Sequence, residues 1–478
     1  MPFRDVREFI AKCKQLGETQ IIEQEVDWNL EVGAITRRCC ELSGPAPFFQ
    51  KIKDYPKGYR IFGIPLAKFR RLAIAMDLAP DAPFNEIMLK FIEGSGKAIK
   101  PRLVKDGPCK ENVVTGNDID LYKFPAPFIH EGDGGRYLGT FHIIATKDPD
   151  SDWVNWGMYR LMVHTSNTMG GLVAPAQHIG MIFRNKYEGR NKPMEFAVAI
   201  GTEPVTSLLG AAGMPIGVSE VNIVGGIRGE PLDVIQCETV DLTVPATSEI
   251  VIEGVMKPHE RKMEGPFGEY GGYRSMPTLM RPVYTVNAIT HRNDPILTMD
   301  VPGIPTDDSH ILQGMTMAAE IYMTLKRLGF PITGVYVPPE GCCSTAVIST
   351  KVPYANIASR IASGVWASAV GHFVVKIIIV DDDVDPTNMQ EVFHAWATKC
   401  HPIRGTTVIP QAVYTPAYPY YSPEEVKNNQ GVNVYYDCTF PRRWPKEHRA
   451  IRSSFKDIYP KEIQEKVLAN WGKYGFKE

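Results

Sequence analysis

Pro282-Val283-Tyr284-Thr285-Val286-Asn287-Ala288-Ile289 decides how the middle of this chain folds. Large β-branched or aromatic residues alternate there with smaller or polar ones, the period of a strand with two unlike faces. Working outward, the same signal recurs at residues 140–146, 194–200, 232–239 and 250–252, each run bounded by Gly, Pro or Asp. Regular short strands with few helical stretches between about 110 and 300 predict a β-rich barrel or sandwich.

The flanks read differently. Upstream, Val6, Phe9, Ile10, Cys13 and Leu16 share one helical face, 21–27 reads as a strand and 32–42 as a second helix. Pro45, Pro47 and Pro56 mark turns, and a helix over 84–91 ends near Gly94-Ser95-Gly96. Downstream, helix 313–328, strands 332–337 and 345–349, helix 354–369, buried strand 373–380 and helix 389–397 predict a compact α+β unit. A polar-faced helix over 460–474 ends the chain. The fold class expected is therefore α+β.

Totals narrow the function. The 478 residues carry a formal net charge of −2, which gives no electrostatic footprint for nucleic acid or an anionic membrane. The start, Met1-Pro2-Phe3-Arg4-Asp5, has no apolar core of a signal peptide. The longest apolar run, 373–380, is short and interrupted by Lys376, far below a span of ~18 residues. Nine cysteines include the adjacent pairs Cys39-Cys40 and Cys342-Cys343 but no C-x-x-C, so zinc-site spacing is absent. An odd count without a secretion signal predicts reduced thiols and a cytoplasmic location.

Four segments carry chemistry-bearing residues. In Glu264-Gly265-Pro266-Phe267-Gly268-Glu269 two carboxylates straddle a Gly/Pro turn. Such a loop can hold both acids close together, and burial with mutual repulsion would raise one of them toward the range of a proton donor. The bland alternative is a surface loop with solvated glutamates. In Trp153-Val154-Asn155-Trp156-Gly157-Met158-Tyr159-Arg160 an arginine sits in an apolar run. It suits bidentate capture of a carboxylate, or a structural ion pair. Gln177-His178 lies in another apolar stretch, where a lone histidine is usually a core residue. Glu220 closes the Gly213-Met214-Pro215 loop, ordinarily a turn position. Asp381-Asp382-Asp383 with Asp385 could bind a metal, but acids between a strand and a helix more often serve as turn and cap groups, and the Gly225-Gly226-Ile227-Arg228-Gly229 run lacks the phosphate-loop spacings, so both read as structural.

Together, Asn155, Arg160, Gln177-His178, Glu220 and Glu264 to Glu269 stand in an order and spacing that resemble the UbiD family of prenylated-FMN-dependent (de)carboxylases. The blocks Glu31 to Arg38, Phe124-Pro125-Ala126-Pro127, Glu131 to Tyr137 and Ile379 to Pro386 resemble family segments too, so the likeness runs from about residue 5 to about 440. It implies an N-terminal α/β segment (1–110), a split β-barrel that binds prenylated FMN (111–305), a C-terminal α/β oligomerisation domain (306–445) and a helical tail (446–478). It implies a cofactor made by a separate flavin prenyltransferase, a divalent ion (Mn²⁺ or Mg²⁺) held by Asn155, His178 and Glu220, and a K⁺ taking carbonyls near Trp153. Met158, Tyr159, Arg160, Gln177 and Pro215 would lie along the flavin.

By the same resemblance Arg160 binds the substrate carboxylate, Glu264 orients it and Glu269 protonates the substrate carbon after CO₂ leaves, reversibly. Met158 and Tyr159 look larger than their family counterparts, and the loop before Glu220 looks shorter. Asp307, Asp308 and His310 fall where members often contact the substrate. The N-terminal half resembles members that act on heteroaromatic acids, which implies an aromatic or heteroaromatic carboxylate. Homodimer and homohexamer are both family states. Competing readings are a flavin-binding or assembly subunit of a multi-component carboxylase, and a plain FMN oxidoreductase, for which no nicotinamide fingerprint is found.

Overall fold

The structure, a computed structural model, describes residues 2–274, 278–413, 418–441, 444–448 and 450–477. Its centre is a ten-stranded antiparallel sheet. The main order is Tyr137–Gly139, Leu161–Thr165, Thr168–Gly171, Leu279–His291, Ile250–Met256, Met194–Ile200, His142–Lys147 and Val154–Gly157. Arg261–Glu264 and Asn112–Thr115 pair with the long strand Leu279–His291.

The connectivity dictates the shape. Val154–Gly157 ends this order on one side, and Leu161–Thr165 lies one strand in from the other side. Only Met158, Tyr159 and Arg160 join them, and four residue steps span at most ~14 Å. The sheet must therefore curl until its two ends nearly meet, which makes it a split barrel with Arg160 in the split. Both faces are covered. Ala197 and Ala199 pack into one core cluster, and Val198 and Ile200 from the same strand pack into another.

The N-terminal part forms a four-stranded sheet of Thr19–Val26, Ala46–Ile52, Arg60–Gly63 and the returning strand Ile296–Met299. Ala46–Ile52 corrects the reading of Pro45 and Pro47 as turn markers only: Pro47 is the strand's second residue, where a missing N–H is tolerated. The C-terminal part has a five-stranded mixed sheet, Ile332–Tyr336, Thr345–Thr350, Lys376–Asp381, Gln430–Cys438 and Thr406–Val413. The last two strands were not expected. Pro410 breaks the pattern of one of them, and the register shifts there between Ile409 and Ala412. Helix Asp308–Arg327 starts five residues before the apolar pattern does, because Asp307 caps it. Helix Ile357–Trp366 starts late, after Asn356 in a left-handed conformation.

One large core cluster links all three parts, from Phe9 and Phe91 through Leu208 and Val224 to Leu312 and Ile361. Helices Phe84–Ser95 and Glu220–Arg228 touch backbone to backbone at glycines: a Cβ on Gly226 would stand 2.3 Å from the Gly94 carbonyl oxygen. This gives the Gly225-Gly226 pair its structural role and fixes the helix that begins at Glu220. Among the described residues no helix is long and apolar enough to cross a membrane.

Candidate active site

Arg160 lies in the split, and both glutamates of the Gly/Pro loop reach it. Its Nε and Nη2 donate to Glu264 Oε1 and Oε2, each at 2.9 Å, a bidentate pair. Its Nη1 donates to Glu269 Oε1. The strand Arg261–Glu264 brings Glu264 in fully buried, then Gly265 turns with φ +80°, a region open mainly to glycine. Phe267 packs beneath, its ring centroid 5.2 Å from the guanidinium carbon and 4.2 Å from the Tyr137 ring. The solvated-loop alternative is thereby excluded, and Arg160 stands with only 12% of its side chain exposed.

Burial sets the electrostatics. It raises Glu269 above the ordinary carboxylate value, opposed by the Arg160 charge and assisted by Glu264. Burial works against the Arg160 charge, yet Glu269 and Glu264 hold it above its usual value. The pair of acids thus shares one cation.

About one turn of chain away, Asn155, His178 and Glu220 converge. Asn155 Nδ2 is 3.2 Å from Glu220 Oε1 and 3.5 Å from His178 Nδ1, and that nitrogen is 3.9 Å from Glu220 Oε1. Glu220 is buried as the first residue of its helix and accepts the Trp156 N–H at 2.8 Å. With no cation beside it, burial pushes its carboxyl up to about 8. Burial likewise lowers His178, favouring a neutral ring. Among the described residues no group of three or more His, Cys, Asp or Glu could hold a metal, so a divalent site here needs the Asn155 amide as third ligand. Asp381, in the acidic run, pairs with Lys399 at 2.9 Å, a structural contact.

Trp153 packs edge-on to His178 at 5.0 Å and donates its indole N–H to the Val218 carbonyl. The Tyr159 ring folds back over Gly157, and its hydroxyl donates to Asn155 Oδ1 at 3.1 Å. Met158 donates its backbone N–H to the Gly210 carbonyl at 2.7 Å. Gln177 Oε1 accepts the Ala174 N–H at 2.8 Å, and Pro215 is exposed in the loop before Glu220. Asp307, Asp308 and His310 are buried at the start of helix Asp308–Arg327. Their bonds run to one another, to backbone groups of Gly303, Leu66 and Tyr270, and to the Arg37 and Asp300 side chains.

Two participants escaped the sequence reading. Tyr137 donates its hydroxyl to Glu264 Oε1 at 2.9 Å. It stands in the Glu131 to Tyr137 block, which carried the resemblance without a role. His142 Nε2 bonds the Tyr159 carbonyl at 3.0 Å, next to Arg160, and burial lowers its ring to about 4, so it is neutral. No pattern in sequence links it to residue 159.

Three family models match: the 3-octaprenyl-4-hydroxybenzoate carboxy-lyase N-terminal domain over residues 10–91, the Rift-related domain over 102–305 and the C-terminal domain over 310–438. Pyrrole-2-carboxylic acid decarboxylase from Pseudomonas aeruginosa is 36% identical over 490 residues, covering 99% of this chain and 98% of its own length. Ferulic acid decarboxylase 1 from Saccharomyces cerevisiae is 32% identical over 501 residues, covering 100% and 99%. The UbiD-class enzyme HmfF from Pelotomaculum thermopropionicum, solved in complex with FMN, superposes with a TM-score of 0.84 at 29% identity, covering 94% of this chain and 97% of that one. An evolved dimeric form of it, in complex with prFMN, gives 0.80 at 28%, covering 96% and 100%. The chain belongs to the UbiD family of carboxy-lyases.

Proposed function

We propose that this chain is a reversible, non-oxidative decarboxylase of an aromatic or heteroaromatic carboxylic acid that uses prenylated FMN. The observation that carries the reading is the Arg160 guanidinium, locked on one edge by Glu264 and met on another by Glu269. Of the two carboxylates that share it, Glu264 is wholly buried in a bidentate pair and Glu269 is raised by burial. An incoming carboxylate competes with Glu269 for the Nη1 edge. Substrate binding thus frees Glu269, which away from the cation takes up a proton from solvent and then donates it to the carbon that has lost CO₂. In the carboxylating direction the ionised form takes that proton back. Glu264 keeps the fork aimed throughout, with Tyr137 behind it.

The donor set of the second cluster fits a hard divalent ion. With the Asn155 amide turned so that its oxygen replaces the nitrogen now facing Glu220, that oxygen, a neutral imidazole and a buried carboxylate suit Mn²⁺ or Mg²⁺ completed by phosphate and water oxygens. Asn155, His178 and Glu220 would hold it, and the Trp153 carbonyl would serve K⁺. Met158, Tyr159, Gln177 and Pro215 would line the flavin. When bound, the prenylated flavin supplies the electrophilic carbon that takes up the electrons CO₂ leaves behind. A flavin prenyltransferase would supply it, and the C-terminal unit (306–445) would mediate self-association.

The test is a denaturing mass spectrum of the flavin released from chain co-produced with a flavin prenyltransferase without oxygen, paired with CO₂ release from pyrrole-2-carboxylate and cinnamic-type acids. A mass above FMN by one prenyl unit, with turnover, is expected. Plain FMN, or no flavin, overturns the reading and makes the chain an assembly subunit.

A further inference from the structure

Glu269 sits in a loop with glycines at 265, 268, 271 and 272, and two side chains pin its backbone on either side. Upstream, Asp133 Oδ1 accepts the Gly268 N–H at 3.1 Å while Oδ2 accepts the His130 N–H at 3.0 Å. Downstream, His310 Nε2 meets the Tyr270 carbonyl at 2.6 Å, one residue past Glu269. A carbonyl only accepts, so Nε2 carries a proton. His310 Nδ1 stands 2.7 Å from Asp307 Oδ1 and 3.2 Å from the Asp307 backbone nitrogen, the reciprocal contact of the capping box.

The ring therefore ties Asp307 to the Tyr270 carbonyl and is charged beside that carboxylate. Burial works against that charge, yet Asp307 holds the ring up at about 10. Asp307 is fixed in turn by the Gly303 N–H at 2.9 Å and by Arg37 at 3.4 Å. Both His310 and Asp307 are wholly buried, so water cannot stand in for either partner. His310 also belongs to the C-terminal matched region and Glu269 to the central one, so the bond crosses the seam between them.

We infer that His310 is a positioning residue: held by Asp307, it fixes the Tyr270 carbonyl and so the point from which Glu269 meets Arg160 and the substrate. The inference rests on the reading of Glu269 as proton donor. It replaces substrate contact by His310 with control of the acid. A displacement of about 1 Å in a reacting group costs on the order of 10²-fold in rate, which is what loss of the pin would cost.

The experiment uses holoenzyme variants. His310→Asn keeps a polar partner for Asp307 but cannot reach Tyr270; His310→Gln places an amide N–H near the position of Nε2. We expect His310→Asn to lower kcat by roughly 10²-fold. KM and bound flavin should stay within about twofold of wild type, and the solvent deuterium isotope effect should grow. His310→Gln should recover at least about tenfold of the loss, and Asp307→Asn, which preserves the helix cap, should fall between them. Wild-type kcat in His310→Asn overturns the inference. So do equal losses in the Asn and Gln variants that track flavin content or melting temperature. Should His310→Asn not fold, wild-type kcat in Asp307→Asn refutes it equally. Glu269→Gln is measured alongside: turnover there removes the acid assignment itself, whereas an inactive Glu269→Gln with an unaffected His310→Asn removes only the role of His310.

Discussion

Removing one oxygen atom, in Tyr137→Phe, tests how the guanidinium is held. The ring stays, so its packing against Phe267 at 4.2 Å is kept, and what is lost is the hydroxyl bond to Glu264 Oε1 at 2.9 Å with a longer contact to the Pro266 carbonyl at 3.5 Å. A hydrogen bond to a buried charged group contributes about 1.5–3 kcal/mol. No water reaches Glu264 to replace it, since the side chain is wholly buried. The loss falls on the carboxylate that fixes Arg160, so it should appear in both stability and kcat/KM, the latter by about tenfold for each 1.4 kcal/mol. The assay is a double-mutant cycle with Glu264→Gln, followed by CO₂ release and by chemical denaturation at matched flavin content. If Tyr137 acts through Glu264, its removal costs little once Glu264 has lost its charge, and the coupling should exceed about 1 kcal/mol. Additivity within about 0.5 kcal/mol would refute the reasoning, because the two residues would then act independently.

Three further outcomes are expected. Glu269→Gln should retain flavin while turnover falls by about 10³-fold or more, measured by bound-flavin absorbance and CO₂ release; wild-type activity in decarboxylation should also decline as pH rises through the raised value of Glu269, since the neutral acid is the donor. His142 titrates at about 4 when folded against 6.5 ordinarily, so the unfolded chain binds the extra proton first. Stability should therefore be lost as pH falls from about 6.5 to about 4, and His142→Gln should flatten that stretch of a melting-temperature profile. Asn155→Ala should weaken Mn²⁺ binding by about tenfold or more, read by titration calorimetry on the flavin-loaded protein.

How far the sequence reached depended on how local each signal was. Met194–Ile200 was legible to the residue, because a strand buried on both faces is a short apolar run with clear ends. The order Asn155, Arg160, His178, Glu220, Glu264, Glu269 was legible as a resemblance, and the structure gathers these residues into two adjacent clusters. What stayed hidden depends on distant partners. Tyr137 needs Glu264, 127 positions away, and His142 needs the carbonyl of Tyr159. The helix start at Asp308 was hidden too, since the apolar pattern of that helix begins only after its capped first turn. Thr406–Val413 was lost to Pro410, which is tolerated at a register shift that no single sequence displays.

Gly134 has a consequence for anyone reshaping this pocket. A Cβ there would stand 2.2 Å from the Gly265 carbonyl oxygen, and its N–H donates to the Pro266 carbonyl at 2.8 Å. The turn that delivers both acids is therefore cast against bare main chain at Gly134, within the segment that also carries Asp133 and Tyr137. Mutant libraries that vary residues 131–137 for substrate scope would mostly sample misplaced acids at this position, and selection from them would report on the mould instead of on the ligand. Diversity is better placed at Met158 or Pro215, which the mould does not touch.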